Sequence, residues 1–413
     1  MTMVGRRCAR ILITVVLATI CEVAAANAKN WYVDCSAGPG QGDGSRSNPW
    51  RTISAAIHPN AEGVRMVKER DTILIGPGIY KEHLSFSGTA MNDGILLKPT
   101  TAGAPVIVDG SGIVDVAAGL EFVNHINGIV LERLEIRNWI GKGIEVSGAQ
   151  NLTLRSLNVH DNGTGILLNS ARALLSKNVR ILECEVHNNG GEDNQGHGIY
   201  LAGEGHEVAR SRVHHNGVPG LGYGIHLYIG HMDVPRVARK IEVHDNYIYA
   251  NGHGVIIGGD PAVKDNKLIR NIVCGNENNG VVIEEQSQGN VVKGNTMMGN
   301  VGAGIRWNRT RTAMAGAKPN VIKENSVLAR PADAEHPHIV PLTVISYPGR
   351  DIFDPPQTHQ FDHNIYGPED SEVQWQMDTD GSVTFLSFEE WQSRGPDQHS
   401  AWGEKEMEVP SCP

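Results

Sequence analysis

From Gly119 onward the chain repeats a short apolar phrase: a glycine, an aliphatic residue, an open position and a second apolar residue. The copies begin at Gly119, Gly143, Gly165, Gly198, Gly224, Gly254, Gly280 and Gly304, with spacings of 24, 22, 33, 26, 30, 26 and 24 residues. The apolar pairs are Ile144/Val146, Ile166/Leu168, Ile199/Leu201, Ile225/Leu227, Val255/Ile257, Val281/Ile283 and Ile305/Trp307. Period two over a few residues predicts short strands with one buried face. Uneven spacing follows if each copy keeps its strands and carries insertions in loops, where added residues cost little entropy. No single copy can bury its own apolar side, so the copies must stack into a prism with ladders of like side chains inside.

A second strand precedes each phrase, as in Leu157-Asn158-Val159, Cys184-Glu185-Val186, Tyr247-Ile248-Tyr249 and Ile272-Val273-Cys274. It ends in an Asn corner, most clearly at Asn162, Asn189, Asn216 and Asn251. Asn tolerates a left-handed backbone and its amide can bond from coil to coil, so these residues are read as structural. The same holds for the column His160, His187 and His214 just before the corners.

Stacking also aligns the outward positions, with strands about 4.8 Å apart. The position between the buried pair reads Glu145, Leu167, Tyr200, His226, Ile256, Val282 and Arg306. The next outward position reads Ser147, Asn169, Ala202, Tyr228, Gly258, Glu284 and Asn308. Tyr200, His226 and Tyr228 thus fall on adjacent coils, with Glu284, Glu285 and Arg306 farther along, and His197 and His253 immediately before their glycines. Loops add His231, Asp233, Asp260 and Lys264, while Gly203, Gly258 and Gly259 leave room for a ligand. Aromatic rings stack on sugar faces, and His or Tyr can move a proton.

At the amino terminus, Arg6, Arg7 and Arg10 precede an apolar run from Ile11 to Ile20, followed by Ala26-Asn27-Ala28. That pattern predicts a signal peptide cut after Ala28 and a secreted or periplasmic protein, with no later segment apolar enough to insert in a membrane. The net charge of -10 excludes general attraction to nucleic acid or anionic lipid. A polyanionic substrate would need a local basic patch. Of the cysteines beyond the leader, Cys184 and Cys274 lie about three coils apart, roughly 14 Å at sheet spacing, too far to pair. Both are expected as lone thiols, with Cys184 buried. Cys35 and Cys412 could meet only if the tail folded back along the stack.

The opening Trp31-Tyr32-Val33-Asp34, the segment Asn48-Pro49-Trp50-Arg51-Thr52-Ile53-Ser54-Ala55-Ala56-Ile57 and the run from Asp71 to Tyr80 resemble the entry of right-handed parallel β-helix proteins. The end, Asp362-His363-Asn364-Ile365-Tyr366 followed by Ser387-Phe388-Glu389-Glu390-Trp391-Gln392, is similar to their closing segment. That group includes pectate-lyase-like and alginate- or chondroitin-lyase-like enzymes. The resemblance implies an all-β, single-stranded right-handed parallel β-helix with an N-terminal capping helix, read within Ser54 to Arg70, and an irregular C-terminal cap. The expected divisions are leader 1–28, cap and entry coils 29–90, helix 91–330, and last coil with cap 331–413. The fold hosts lyases, hydrolases, epimerases, esterases and non-catalytic proteins, so activity must be argued from the site.

In the leading expectation, a monomeric lyase cleaves an acidic, uronate-containing polysaccharide by β-elimination. His226 would be the base, Tyr228 or Tyr200 the acid, and Arg306 or Lys264 the carboxylate partner, with His197, His253 and Glu284 around them and Glu285 and His231 among the sugar contacts. The alternative is a glycoside hydrolase using Glu284, Glu285 and Asp260, which needs two carboxylates across the bond. A third is a non-catalytic polysaccharide-binding or scaffold protein. The one metal expectation is calcium at Asp233 and Asp260.

Overall fold

The computed structural model describes residues 28–402 and Cys412, apart from 39, 41, 88–93, 171–173, 191–195, 218–221, 230–236, 259, 285, 310–316, 329–341, 347–358, 368–374 and 380–381. The proposed leader therefore lies outside the described residues. Each coil contributes one strand to each of three sheets, and among the described residues each sheet has twelve strands. In one coil these are Thr153–Arg155 (sheet 1), Asn158–His160 (sheet 2) and Thr164–Asn169 (sheet 3). Successive coils pair in parallel and in register: Ile144 with Ile166, Ile166 with Ile199, Ile199 with Ile225, Ile225 with Val255, Val255 with Val281, and Val281 with Ile305. The chain is a parallel β-helix, and the phrase read from the sequence is its sheet 3 strand.

The apolar pair of every phrase points inward. Ile166, Leu168, Ile199, Leu201, Ile225 and Val255 are fully buried, and Trp307 is 5% exposed. They meet ladders from sheet 1, such as Leu154, Ile181 and Val208, and from sheet 2, such as Val159, Val186 and Val213. Burying one such aliphatic side chain stabilises the fold by ~1.5–3 kcal/mol, and every coil repeats the contribution.

Asparagine ladders hold the corners. Between sheets 2 and 3, each Asn Nδ2 donates to the Oδ1 of the next: Asn162 to Asn189 (3.0 Å), Asn189 to Asn216 (2.9 Å), Asn216 to Asn251 (2.9 Å), Asn251 to Asn276 (3.1 Å) and Asn276 to Asn300 (2.7 Å). Two further ladders run through Asn246, Asn271, Asn295, Asn325 and Asn364, and through Asn266, Asn290 and Asn320. Corners turn the backbone's polar groups away from the ladder partners of the strands, and buried amides supply the bonds they would otherwise lack. His160, His187 and His214 stack in the sheet 2 column at 4.8 and 4.9 Å between rings, and Tyr249 continues the stack at 4.6 Å.

Both ends are closed. The first helix is Ile53–Ile57, a short element at the start of the expected segment that begins one residue before it, and Pro59 follows its C-cap, His58. Proline restricts the residue before it to extended backbone, which ends the helix there. Ile53 and Ile57 are fully buried in the same core as Trp50, which stacks on Trp31 at 5.1 Å. At the other end the sheets continue through Leu342–Ser346, His359–Asp362 and Ile365–Gly367. An antiparallel hairpin, Trp375–Thr379 with Ser382–Leu386, then terminates sheet 3. The helix Phe388–Ser393, fixed by a capping box between Ser387 and Glu390, presses buried Trp391 against Phe361.

The cysteines correct the sequence reading. Cys274 is bonded to Cys412, while Cys35 and Cys184 are free. The expectation of a lone thiol thus fails for Cys274 and holds for Cys184, which is buried. Cys412 meets sheet 2 at Cys274 and not the amino-terminal end at Cys35.

Candidate functional site

The outward face of sheet 3 carries three columns. Pairing of Leu167 with Tyr200, Tyr200 with His226 and His226 with Ile256 fixes the middle one. Tyr223 pairs with His253, so the positions directly before the glycines, including His197, form the column beside it. Tyr228, one strand position beyond Leu227, belongs to the third.

Six rings from these columns form one patch. His226 lies 4.6 Å from His197, 5.1 Å from Tyr200, 4.8 Å from Tyr223 and 4.9 Å from Tyr228, between ring centres. His253 stacks on Tyr223 at 4.9 Å. Tyr223 was missed by the sequence reading, although it stands immediately before Gly224 as His197 and His253 do before their own glycines. Gly258 lets the patch close, because a Cβ there would come within 2.4 Å of the Tyr228 ring.

A hydrogen-bond chain sets the imidazole tautomers. The Tyr223 amide donates to His197 Nδ1 (3.2 Å), so that nitrogen carries no proton. The neutral His197 ring is then protonated at Nε2, which donates to His226 Nδ1 at 3.1 Å. His226 in turn keeps its proton on Nε2. Burial pushes the His226 pKa well below the usual histidine value, and a charge on His197 would push it further. His253 is held at about 4, by burial first and then by the charge of Arg306. Burial raises the Tyr223 hydroxyl pKa, with Glu284 acting in the same direction. Both His226 (8% exposed) and His253 (7%) are buried, whereas His197, Tyr200, Tyr223 and Tyr228 are half-buried. This corrects the expectation of an open, proton-accepting His226: its acceptor nitrogen is used by His197 and its ring lies beneath the tyrosines.

The other candidates are placed as follows. Arg306 stands three coils beyond His226 in the same column, about 14 Å at strand spacing, and its Nε donates to Asn308 Oδ1 at 2.8 Å. Its charge still acts on His253 and Tyr223. Glu284 lies on the neighbouring column, paired with Asn308. Lys264 is not with the rings. It pairs with Arg239 in a separate three-stranded sheet beyond the turn that ends sheet 3. Asp260 accepts from the Ala262 amide (2.8 Å) and caps its own turn. His231, Asp233 and Glu285 lie outside the described residues.

A family model of the right-handed β-helix region matches residues 82–234, and a model described as periplasmic copper-binding protein NosD matches residues 183–333. Among the described residues, the only convergent group of three His, Cys, Asp or Glu ligand atoms is Asp362, His363 and His399, outside the second match. The described residues of 183–333 therefore bring no three such ligand atoms together. No curated protein matches the chain in sequence. Among solved structures, GH136 lacto-N-biosidase from Eubacterium ramulus superposes with a TM-score of 0.55 at 11% identity, covering 91% of this chain and 68% of that one. XylC in complex with xylose gives 0.52 at 12%, covering 86% of each chain. The A-module of the Azotobacter vinelandii mannuronan C-5 epimerase AlgE4 gives 0.50 at 14%, covering 90% of this chain and 100% of that one. At such identities the likeness is one of fold. With the coil geometry and the matched β-helix region, it places the chain among the right-handed parallel β-helix proteins.

Proposed function

We propose that the protein acts on a carbohydrate polymer laid across sheet 3 at the ring patch, and that its reaction is β-elimination at a uronic residue. The observation that carries this reading is the convergence of four half-buried rings over a neutral, buried imidazole on one outward sheet face. Such a surface stacks on sugar rings and offers hydroxyl groups for proton transfer. The fold relatives named for carbohydrate chemistry agree with that substrate class.

In this reading Tyr200 and Tyr228 face the substrate. One, as the base, takes the proton α to the carboxylate; the C–C double bond forms as the glycosidic C–O bond breaks, and the other hydroxyl protonates the leaving oxygen. Arg306, three coils along the same column, would hold the carboxylate of a sugar unit farther along the bound chain and help set its register. His226, linked through His197 to the Tyr223 amide, is a positioning residue that fixes the rings above it. Hydrolysis is less well served, since among the described residues Glu284 is the one carboxylate of its proposed set near the patch and Asp260 is committed to a turn. Export to the periplasm or beyond fits the description of the second family match and the leader-like amino terminus.

The burial of both His226 and His253 favours a second reading, in which the patch binds polysaccharide without cleaving it. Incubating the mature protein with alginate, pectate and glycosaminoglycans separates the two. Ultraviolet absorbance of an unsaturated product, lost in Tyr200→Phe or Tyr228→Phe, supports elimination. New reducing ends without that absorbance overturn it in favour of hydrolysis, and binding without either product supports the second reading.

A further inference from the structure

The C-terminal cap carries a cluster that the ring patch does not use. Asp362 ends the strand His359–Asp362, His363 forms the next corner, and His399 lies in the turn beyond the helix Phe388–Ser393. Asp362 Oδ2 is 2.8 Å from His399 Nδ1 and 3.1 Å from His363 Nδ1. All three ligand atoms lie within 4.8 Å of one another, and the two imidazoles face each other with centres 5.1 Å apart.

Two ligands bound at ~2.0–2.1 Å to one metal ion are separated by roughly 2.9–3.4 Å, depending on the angle between them. The carboxylate-to-imidazole separations here are of that size, so an ion needs only small side-chain movements. The other carboxylate oxygen is already fixed, because Asp362 Oδ1 accepts the His399 amide at 2.8 Å. His363 holds a left-handed backbone (φ 55°) at the coil corner, which turns its ring back beside Asp362. Glu324, one coil earlier, bonds its amide to the Asp362 carbonyl and so ties this corner to the preceding coil. The neighbouring cations, Lys293 and Lys323, are both turned to Glu324.

We propose that Asp362, His363 and His399 form a divalent transition-metal site, of the zinc or copper class, that clamps the C-terminal cap onto the last coil. Two imidazoles and one carboxylate suit such ions better than calcium or magnesium, which prefer all-oxygen shells. The exposed position leaves room for water or an exogenous ligand to complete the coordination.

The test uses the mature protein without an affinity tag, stripped with chelator and titrated with zinc ion by calorimetry and thermal denaturation. Expected are one equivalent bound per chain and a rise in Tm of a few degrees at saturation. His363→Ala, an exposed substitution that leaves the cap's buried contacts in place, should weaken binding at least tenfold and remove the rise. His363→Ala with His399→Ala should remove binding, and cobalt substituted for zinc should show nitrogen-ligated visible bands that the double variant lacks. Absence of binding by the wild type, or binding and a thermal shift unchanged in His363→Ala, overturns the proposal.

Discussion

His226 accepts a hydrogen bond at Nδ1 from His197 Nε2 across 3.1 Å, and the Tyr223 amide locks the direction of that bond by occupying the other nitrogen of His197. His197, Tyr223 and His226, on two neighbouring coils, are thus one unit anchored in the backbone. Both rings should be neutral and protonated at Nε2 in the free protein, and His226 should remain so on mild acidification because burial opposes its charge. Nitrogen NMR of imidazole-labelled protein reads this directly. His197→Phe leaves the buried His226 nitrogen unpaired, at a cost of ~1–3 kcal/mol in denaturant unfolding.

A second histidine makes stability depend on pH. His206 is buried in a corner, accepts the Val179 amide at Nδ1 and donates from Nε2 to the Ala202 carbonyl. Burial lowers its pKa from 6.5 to about 4. Above the unfolded value it is neutral in both states and its contribution to stability is complete. As pH falls through the window toward about 4, the unfolded chain binds a proton that the folded chain refuses, and stability declines by up to ~1.4 kcal/mol per pH unit. Urea unfolding at pH 7 and pH 5 should show a loss on the order of 2 kcal/mol from this group. His206→Asn should remove that share of the loss while His226 and His253 keep theirs, and Asn fits the site because Asn266 holds the same ladder column two coils on.

The asparagine ladders should be as sensitive as the apolar core. Asn189 accepts from the Asn162 amide and side chain and donates to the Val159 and His187 carbonyls and to Asn216. Asn189→Ala strands several buried groups at once and should cost at least ~2 kcal/mol. Asn151, whose side-chain amide bonds Asn127 and Asn178 on the exposed surface, is the comparison, and its alanine variant should cost less, about 1 kcal/mol, from its left-handed backbone (φ 54°) alone.

The Cys274–Cys412 bond joins positions 138 residues apart and ties the tail to the side of the stack. Constraining so long a loop in the unfolded chain stabilises the fold by ~2–4 kcal/mol. Cys412→Ser should lower Tm and make the tail susceptible to limited proteolysis, with Cys184 remaining unreactive to thiol reagents until unfolding. Burial holds the Cys184 thiol at about 12, so no thiolate is present to react.

Much of this molecule is written in its local pattern. Gly143-Ile144-Glu145-Val146 and its copies specify a strand, its buried face and, by repetition, its register, because a period of two allows no other apolar face. The columns containing Tyr200, His226 and Tyr228 could therefore be read without coordinates. The burial of His226 could not, since an outward position is exposed only if its neighbours leave it so, and here Tyr200, Tyr223 and Tyr228 cover it. Lys264 looked close to the patch along the chain, but a turn after Ile257 moves it to another sheet. Cys274 found its partner in a tail without periodicity, whose path no repeat dictates. Sequence by itself determined the coil, its inward ladders and its asparagine corners, because these are interactions between equivalent positions one repeat apart. Tertiary structure alone decided which outward groups share a patch, which nitrogen of each imidazole carries the proton, and where the tail returns, because these depend on loops and side-chain directions that repetition does not constrain.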